Sequence, residues 1–145
     1  MNELPVAIRL NPFKGADGPA GEPIPWSPWG RILPERPVFT LDPLFHAGCY
    51  YVQDASAMYV GHIFRKALDK VGHKEIRVLD LCAAPGGKTT DLATSLRERY
   101  GDDFLLVSNE VMKERARVLC DNIALWGDPN ILVCSTDPAV LGRLS

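Results

Sequence analysis

The sequence lacks several features that would assign it to a class at once. No apolar run in its 145 residues approaches the ~20 that cross a bilayer, so we expect no membrane partner. Its four cysteines are widely spaced without a CxxC, which argues against a disulfide scaffold or a zinc knuckle. The first residues lack a basic stretch followed by an apolar segment, so we expect a cytoplasmic location. With 16 basic and 18 acidic residues, the chain is not coated in basic charge, although a local basic face stays open.

Proline is abundant but unevenly distributed. Nine of the twelve prolines lie in the first 43 residues. Interior proline costs a helix ~3 kcal/mol, so this part should hold short edge strands and turns and no helix. One strand is expected at residues 6–10, where apolar and polar residues alternate. The skew predicts a proline-rich arm over residues 1–48 and a second domain over residues 49–145.

Two tryptophans flank Pro28 in this arm. Trp26 and Trp29 could stack RNA bases. They could instead pin the arm onto the protein, which is the more common role of a buried tryptophan and the interpretation we favour.

From residue 50 onward, apolar strands alternate with amphipathic helices. A short strand over 50–53 precedes a helix over 57–70 capped by Ser56. Strands are predicted at 76–82, 104–110 and 131–134, and helices at 88–100 and 113–126. This alternation predicts a parallel α/β sheet with right-handed crossovers, buried as such sheets are. Three strands make about half of a doubly wound sheet of around six, so we expect the chain to be a piece of a longer protein.

The stretch DLCAAPGGKTT, residues 80–90, joins the first of these strands to the next helix. Ligands of open α/β sheets bind at the carboxyl ends of strands, and glycine lets the backbone approach them closely. The N–H groups at a helix start attract a carboxylate or a phosphate. The stretch is not a P-loop, because GxxxxGK[ST] would require glycine where Cys82 stands.

An acidic residue, Glu110, comes at the end of the second strand. In that position its carboxylate could accept hydrogen bonds from both hydroxyls of a ribose. A glycine-rich first turn together with such an acid predicts a cofactor that contains adenosine.

DLCAAPGGKTT resembles the first motif of the RNA cytosine-C5 methyltransferases of the Sun/Nop/Fmu (RsmB/RsmF-like) type. Residues 52–58, 108–110 and 122–127 are similar to further segments of that family, and residues 9–12 and 24–26 to its N-terminal arm. The resemblance implies a Rossmann-like class I methyltransferase fold, of which three strands are present, and S-adenosylmethionine as cofactor. It implies cofactor contacts by Cys82, Ala83, Ala84, Pro85, Gly86, Gly87, Lys88, Glu110 and Asp137. For Asp137, which precedes Pro138, the start of a turn or helix is the alternative.

The same resemblance implies covalent catalysis by a cysteine in a Pro-Cys or Thr-Cys motif. Neither dipeptide occurs here, so we predict no catalytic residue in this chain and an inactive fragment. Cys82 belongs to the cofactor loop, while Cys49, Cys120 and Cys134 have the character of small buried apolar residues. The three histidines show no metal-ligand spacing, and no metal site is predicted. RNA is the expected partner, with ribosomal RNA preferred to transfer RNA because of the arm.

Two other functions remain open at this point. A fragment of a nicotinamide-dependent dehydrogenase would share the strand, turn, helix and acid. A non-catalytic RNA-binding or assembly module would use the two tryptophans and a basic segment that holds Arg65, Lys66, Lys70, Lys74 and Arg77. A solvated helix face is an equally good account of that segment.

Overall fold

The computed structural model describes residues 5–72 and 75–143 and divides the chain into two compact units. The first unit ends at Val71 and the second begins at Gly72. The first unit therefore extends past residue 48, because the strand at Tyr50–Val52 hydrogen-bonds to a strand near the start of the chain. The division into an arm over 1–48 and a domain over 49–145 stays a prediction.

The first unit is built on a four-stranded antiparallel sheet. Its strands are β1 (Ala7–Leu10), β2 (Glu22–Ile24), β3 (Ser27–Ile32) and β4 (Tyr50–Val52), in the spatial order β2-β3-β1-β4. A 3₁₀ turn at Phe39–Leu41 leads into α1 (Pro43–His46), and α2 (Tyr59–Leu68) follows β4. Ile8 of β1 and Tyr50 of β4 form a buried cluster with Leu33 and Cys49.

Two elements of this unit differ from the prediction. Strand β3 was not predicted, because it contains Pro28 and Gly30. Gly30 is required there, since an added Cβ would lie 2.9 Å from Met58 Sδ. The expectation of no helix in the arm is wrong for α1. Pro43 stands in its first turn, where proline loses no hydrogen bond, and the Asp42 side chain accepts from the Leu44 N–H.

The helix predicted to begin after Ser56 begins two residues later. Residues 55–58 form turns instead, in which the Tyr59 N–H donates to the Ser56 carbonyl. Ser56 therefore does not cap α2, whose N-cap position is Met58 without a side-chain cap. Ahead of α2, backbone hydrogen bonds join residues three apart, a common feature of helix ends.

The second unit is a three-stranded parallel sheet with helices between the strands. Its elements in chain order are β5 (Ile76–Asp80), α3 (Gly87–Tyr100), β6 (Phe104–Asn109), α4 (Lys113–Trp126), β7 (Ile131–Cys134) and α5 (Pro138–Leu141). The order is β5-β6-β7, with Leu79 beside Val107 and Val107 beside Leu132. The predicted parallel α/β sheet is confirmed.

Within the described part of the second unit, helices α3 and α4 cover one face of this sheet. Buried side chains of α3 and α4, among them Leu96 and Leu119, accompany buried Phe104 and Leu106 of β6. On the alternate positions Leu79, Leu105 and Leu132 are 51%, 40% and 55% exposed. The order β5-β6-β7 means that both crossovers step in the same direction, and with the right-handed sense that such crossovers take, both helices lie on one face. The expectation of strands buried on both sides is therefore wrong for these residues.

An ion pair between Arg97 and Asp128 stabilises the edge of the sheet where the strands begin. The Arg97 guanidinium, near the end of α3, donates to both carboxylate oxygens of Asp128 at 3.1 and 2.7 Å and lies over the Phe104 ring. It also contacts Asp102.

Among the described helices, none has both the length and the apolar character needed to cross a membrane.

Candidate functional site at the ends of the parallel strands

The loop after β5 turns sharply and returns to the neighbouring strand. The Ala83 N–H donates to the Asn109 carbonyl of β6 at 2.8 Å, and the Gly86 N–H donates to the Ala83 carbonyl at 2.9 Å. The peptide bond between Ala84 and Pro85 is cis. Ala83 and Ala84 are buried, whereas Cys82 and Pro85 are exposed. The loop therefore presents a short, tightly held stretch of backbone at the carboxyl edge of the sheet.

Gly86 meets two requirements that only glycine satisfies together. Its φ is +112°, and a Cβ there would lie 3.2 Å from Leu119 Cδ1 of α4. Gly86 is the N-cap residue of α3 and supplies no side-chain cap. Because the loop precedes the helix, it lies at the positive end of the helix dipole. Gly87 and the exposed Lys88 follow as the first helical residues.

Two threonines fix the first turn of α3. The Thr89 hydroxyl donates to the Asp80 carboxylate at 2.7 Å, which joins the helix start to the last residue of β5. The Thr90 hydroxyl donates to the Gly86 carbonyl at 2.9 Å. Both threonines are buried, so the orientation of the helix start relative to the strand is held from inside.

Helix α4 supports the loop from below. The Arg115 side chain donates to the Ala84 carbonyl at 2.9 Å, and the Asn122 amide donates to the Pro85 carbonyl at 2.7 Å. Leu119 lies between them in sequence at the spacing that shares one helix face. One face of α4 therefore holds three consecutive residues of the loop, Ala84, Pro85 and Gly86.

Glu110 directly follows β6 and is buried. Its Oε1 accepts the Met112 N–H at 3.1 Å, and its Oε2 lies 3.6 Å from Arg115 Nη1. A carboxylate has about four lone-pair positions, so these two contacts leave acceptor capacity for ribose hydroxyls. The residue types and their placement fit a cofactor with an anionic group at the start of α3 and a ribose at Glu110.

Asn109 links the ends of all three strands. Its amide nitrogen donates to the carbonyls of Leu81 and Thr136 at 3.3 and 3.0 Å, and its oxygen accepts the Thr136 N–H at 3.0 Å and the Cys134 thiol at 3.2 Å. It is fully buried. Through Asn109, the loop after β5 and the segment after β7 are fixed to β6.

Asp137 follows β7 at the same edge and caps α5. Its Oδ1 accepts the Ala139 N–H at 2.8 Å, and Pro138 occupies the first helical position. The structure thus shows the helix-start role considered for this residue. Its contact with a cofactor stays a prediction.

The cysteines occupy different environments. Cys82 is exposed, Cys49 is buried, and burial raises the pKa of the Cys134 thiol, which donates to Asn109. Cys120 is exposed on α4, so the expectation that it is buried is wrong, because it lies beside the buried face and not on it. Within 5–72 and 75–143, no three His, Cys, Asp or Glu residues group so as to hold a metal ion.

Trp26 and two arginines of the basic segment, Arg65 and Arg77, make contacts within the protein. The Trp26 ring N–H donates to the Ala55 carbonyl at 2.7 Å, and its own carbonyl accepts from Arg65 at 2.8 Å. Arg77 contacts Glu75 on the surface. Lys74 lies outside the described residues. The contacts of Trp26 favour its anchoring role over base stacking.

Two family models together match most of the chain. The N-terminal domain of 16S rRNA methyltransferase RsmF matches residues 1–55, and the model of 16S rRNA methyltransferase RsmB/F matches residues 67–142. The chain belongs to the RsmB/F family. The family resemblance based on DLCAAPGGKTT is confirmed. All the residues expected to hold the cofactor lie inside the RsmB/F match.

Curated relatives of the RsmB/F chain include ribosomal RNA small subunit methyltransferase F of Aliivibrio fischeri (strain MJ11), 34% identical over 83% of this chain and 25% of the relative. The enzyme of the same name from Shewanella woodyi is 32% identical over 97% of this chain and 30% of the relative. The chain thus spans about a quarter to a third of their lengths.

Among solved structures, a methyltransferase homolog protein from Pyrococcus horikoshii superimposes with a TM-score of 0.79. It is 28% identical and covers 99% of this chain, which covers 47% of it. The expected fold class, part of a class I methyltransferase sheet, is confirmed by this match and by the parallel order β5-β6-β7.

The structure brings the predicted residues to one edge of the sheet and adds three that the sequence reading missed. The loop residues 82–88 follow β5, Glu110 follows β6, and Asp137 lies just beyond β7. Asn109, Arg115 and Asn122 hold these segments but had no assigned role. Asn109 had two signals, its place at the end of an apolar strand and the similarity of residues 108–110 to a family segment. Asn122 begins the similar segment 122–127, and nothing in the sequence pattern marked Arg115.

Proposed function

We propose that this chain is the S-adenosylmethionine-binding part of an RNA cytosine-C5 methyltransferase that acts on ribosomal RNA. The observation that carries the proposal is the shared edge where the loop held by Gly86 and the carboxylate of Glu110 follow adjacent parallel strands. Family membership supports methyl transfer. The cytosine-C5 specificity rests on the resemblance of residues 80–90, and ribosomal RNA rests on the relatives' names.

Each part of the site has a distinct task in this proposal. Residues Cys82 to Lys88 surround the methionine part, where the uncapped start of α3 attracts its carboxylate. Glu110 accepts hydrogen bonds from the ribose hydroxyls, and Asp137 lies near the adenine. When bound, S-adenosylmethionine supplies an electrophilic methyl group. The chain's own residues bind and orient this donor.

The proposal assigns no nucleophile to the chain. Cys82 sits at the beginning of the cofactor loop, and the sequence contains no Pro-Cys or Thr-Cys. We therefore expect donor binding without turnover from these 145 residues. A cytoplasmic location belongs to the same proposal, because ribosomal RNA is the proposed substrate.

Titration calorimetry of the chain with S-adenosylmethionine and S-adenosylhomocysteine tests the donor site. Both should bind, and Glu110→Ala should weaken binding by about 1–3 kcal/mol because a charged hydrogen-bond partner is lost. Glu114→Ala is the matched control, since that side chain is 84% exposed in an ion pair with Arg117. Its affinity should equal that of the wild type.

Three results would contradict the proposal. The first is no binding by the wild-type chain, and the second is Gly87→Asp binding as well as the wild type. The third is an unchanged affinity after Glu110→Ala, which would remove the ribose role. Binding of NADH in place of both methionine cofactors would favour the dehydrogenase. RNA binding that ignores the loop substitution would favour an assembly module.

A further inference from the structure

We propose that Arg115 is a positioning residue that fixes the two halves of the candidate cofactor site relative to each other. One half is the loop after β5, and the other is the carboxylate of Glu110. The inference rests on the proposed function, since it concerns the same site.

The geometry of one guanidinium carries the inference. Arg115 Nη2 donates to the Ala84 carbonyl at 2.9 Å, while Nη1 lies 3.6 Å from Glu110 Oε2. Ala84 and Glu110 follow different strands, β5 and β6. Because the guanidinium is a planar, rigid fork, contact with both groups sets the distance between them. A change in either half is therefore transmitted to the other through Arg115.

The burial of the Glu110 carboxylate explains why its contact with Arg115 matters. The Glu110 side chain is 5% exposed, whereas the Arg115 side chain is 53% exposed. A buried carboxylate needs a compensating charge or hydrogen bonds, and without Arg115 the Glu110 carboxylate keeps the Met112 N–H as its partner among the described residues. The carboxylate would then lose the orientation in which its remaining lone pairs face a ribose.

The loop itself has a second tether, which separates positioning from folding. Asn122 holds the Pro85 carbonyl at 2.7 Å, and Gly86 packs beside Leu119. Loss of Arg115 therefore leaves the loop attached to α4. We expect it to loosen the relation between Ala84 and Glu110 without detaching the loop.

Arg117 offers a matched control on the same helix. Its side chain is 78% exposed and forms an ion pair at 3.8 Å with Glu114, which is also highly exposed. Arg115→Met and Arg117→Met thus remove the same group from one helix, but only the first breaks contacts with the site. Arg115→Lys keeps the charge but not the fork.

The experiment measures S-adenosylhomocysteine affinity by titration calorimetry at a temperature where circular dichroism shows every variant folded. Arg115→Met should weaken binding about tenfold or more, Arg115→Lys should recover part of that loss, and Arg117→Met should stay within about twofold of wild type. In a Glu110→Gln background, Arg115→Met should have a markedly smaller effect, because the two residues act as a unit. A purely structural role predicts the same fold-loss in both backgrounds.

The outcomes separate this inference from the proposed function. If the wild type binds and Arg115→Met matches Arg117→Met, the positioning role is overturned and the donor site stands. Equal losses in both Glu110 backgrounds overturn it as well. If the wild type does not bind S-adenosylhomocysteine, the proposed function fails and the inference fails with it.

Discussion

Asn109→Asp should weaken the parallel sheet far more than its small change in shape suggests. The substitution keeps the volume and the acceptor oxygen that receives the Thr136 N–H. It removes both donated bonds, to the Leu81 and Thr136 carbonyls at 3.3 and 3.0 Å. It also places a carboxylate against these two carbonyl oxygens in a fully buried position.

The magnitude follows from the two lost bonds. A buried polar group left without its partner costs about 1–3 kcal/mol, so two carbonyls should cost about 3 kcal/mol or more at neutral pH. Burial of the new charge adds to this cost. A protonated carboxyl can donate one bond, so the destabilisation should become smaller as the pH falls towards 4.

Amide hydrogen exchange of peptides covering β6 measures the effect under native conditions. A loss of 3 kcal/mol corresponds to roughly 150-fold faster exchange of the protected amides. Ser135→Ala is the control, because Ser135 is exposed beside the same network and should change exchange little. If the β6 amides of Asn109→Asp exchange at pH 7 within about threefold of the wild-type rate, Asn109 does not hold the strand ends together.

Two further predictions concern stability elsewhere. In urea, Arg97→Met should lower the free energy of unfolding by about 2–4 kcal/mol, because the nearly buried Asp128 loses a partner that donates two hydrogen bonds. Arg117→Met, which removes an exposed ion pair, should lower it by less than about 0.5 kcal/mol. Equal losses in the two variants would contradict this. Burial and a hydrogen bond to Asp42 raise the pKa of Tyr50, so stability is full below its unfolded pKa of about 10 and falls at higher pH. Melting temperatures between pH 8 and 11 should drop less in Tyr50→Phe, and an identical drop would exclude Tyr50 as the cause.

Local sequence patterns were sufficient for the elements of the second unit. Helix α4 and strand β7 have the predicted bounds, because apolar periodicity ends at Gly127 and β-branched and aliphatic residues cluster in β7. β5 and β6 end before the predicted residues, so Glu110 follows its strand. The arm was harder, because Pro28 and Gly30 break the pattern of β3 and only packing against Met58 explains Gly30.

The sequence by itself determined the chemistry of the site: a glycine turn between strand and helix, and an acid after the next strand. These features depend on neighbouring residues, so local rules reveal them. Only the tertiary structure decided how the halves are held. Asn109, Arg115 and Asn122 contact segments 27 to 37 residues away in sequence, and such pairings arise only when the strands and α4 pack together. Which face of the sheet stays open was likewise a consequence of two crossovers with the same hand.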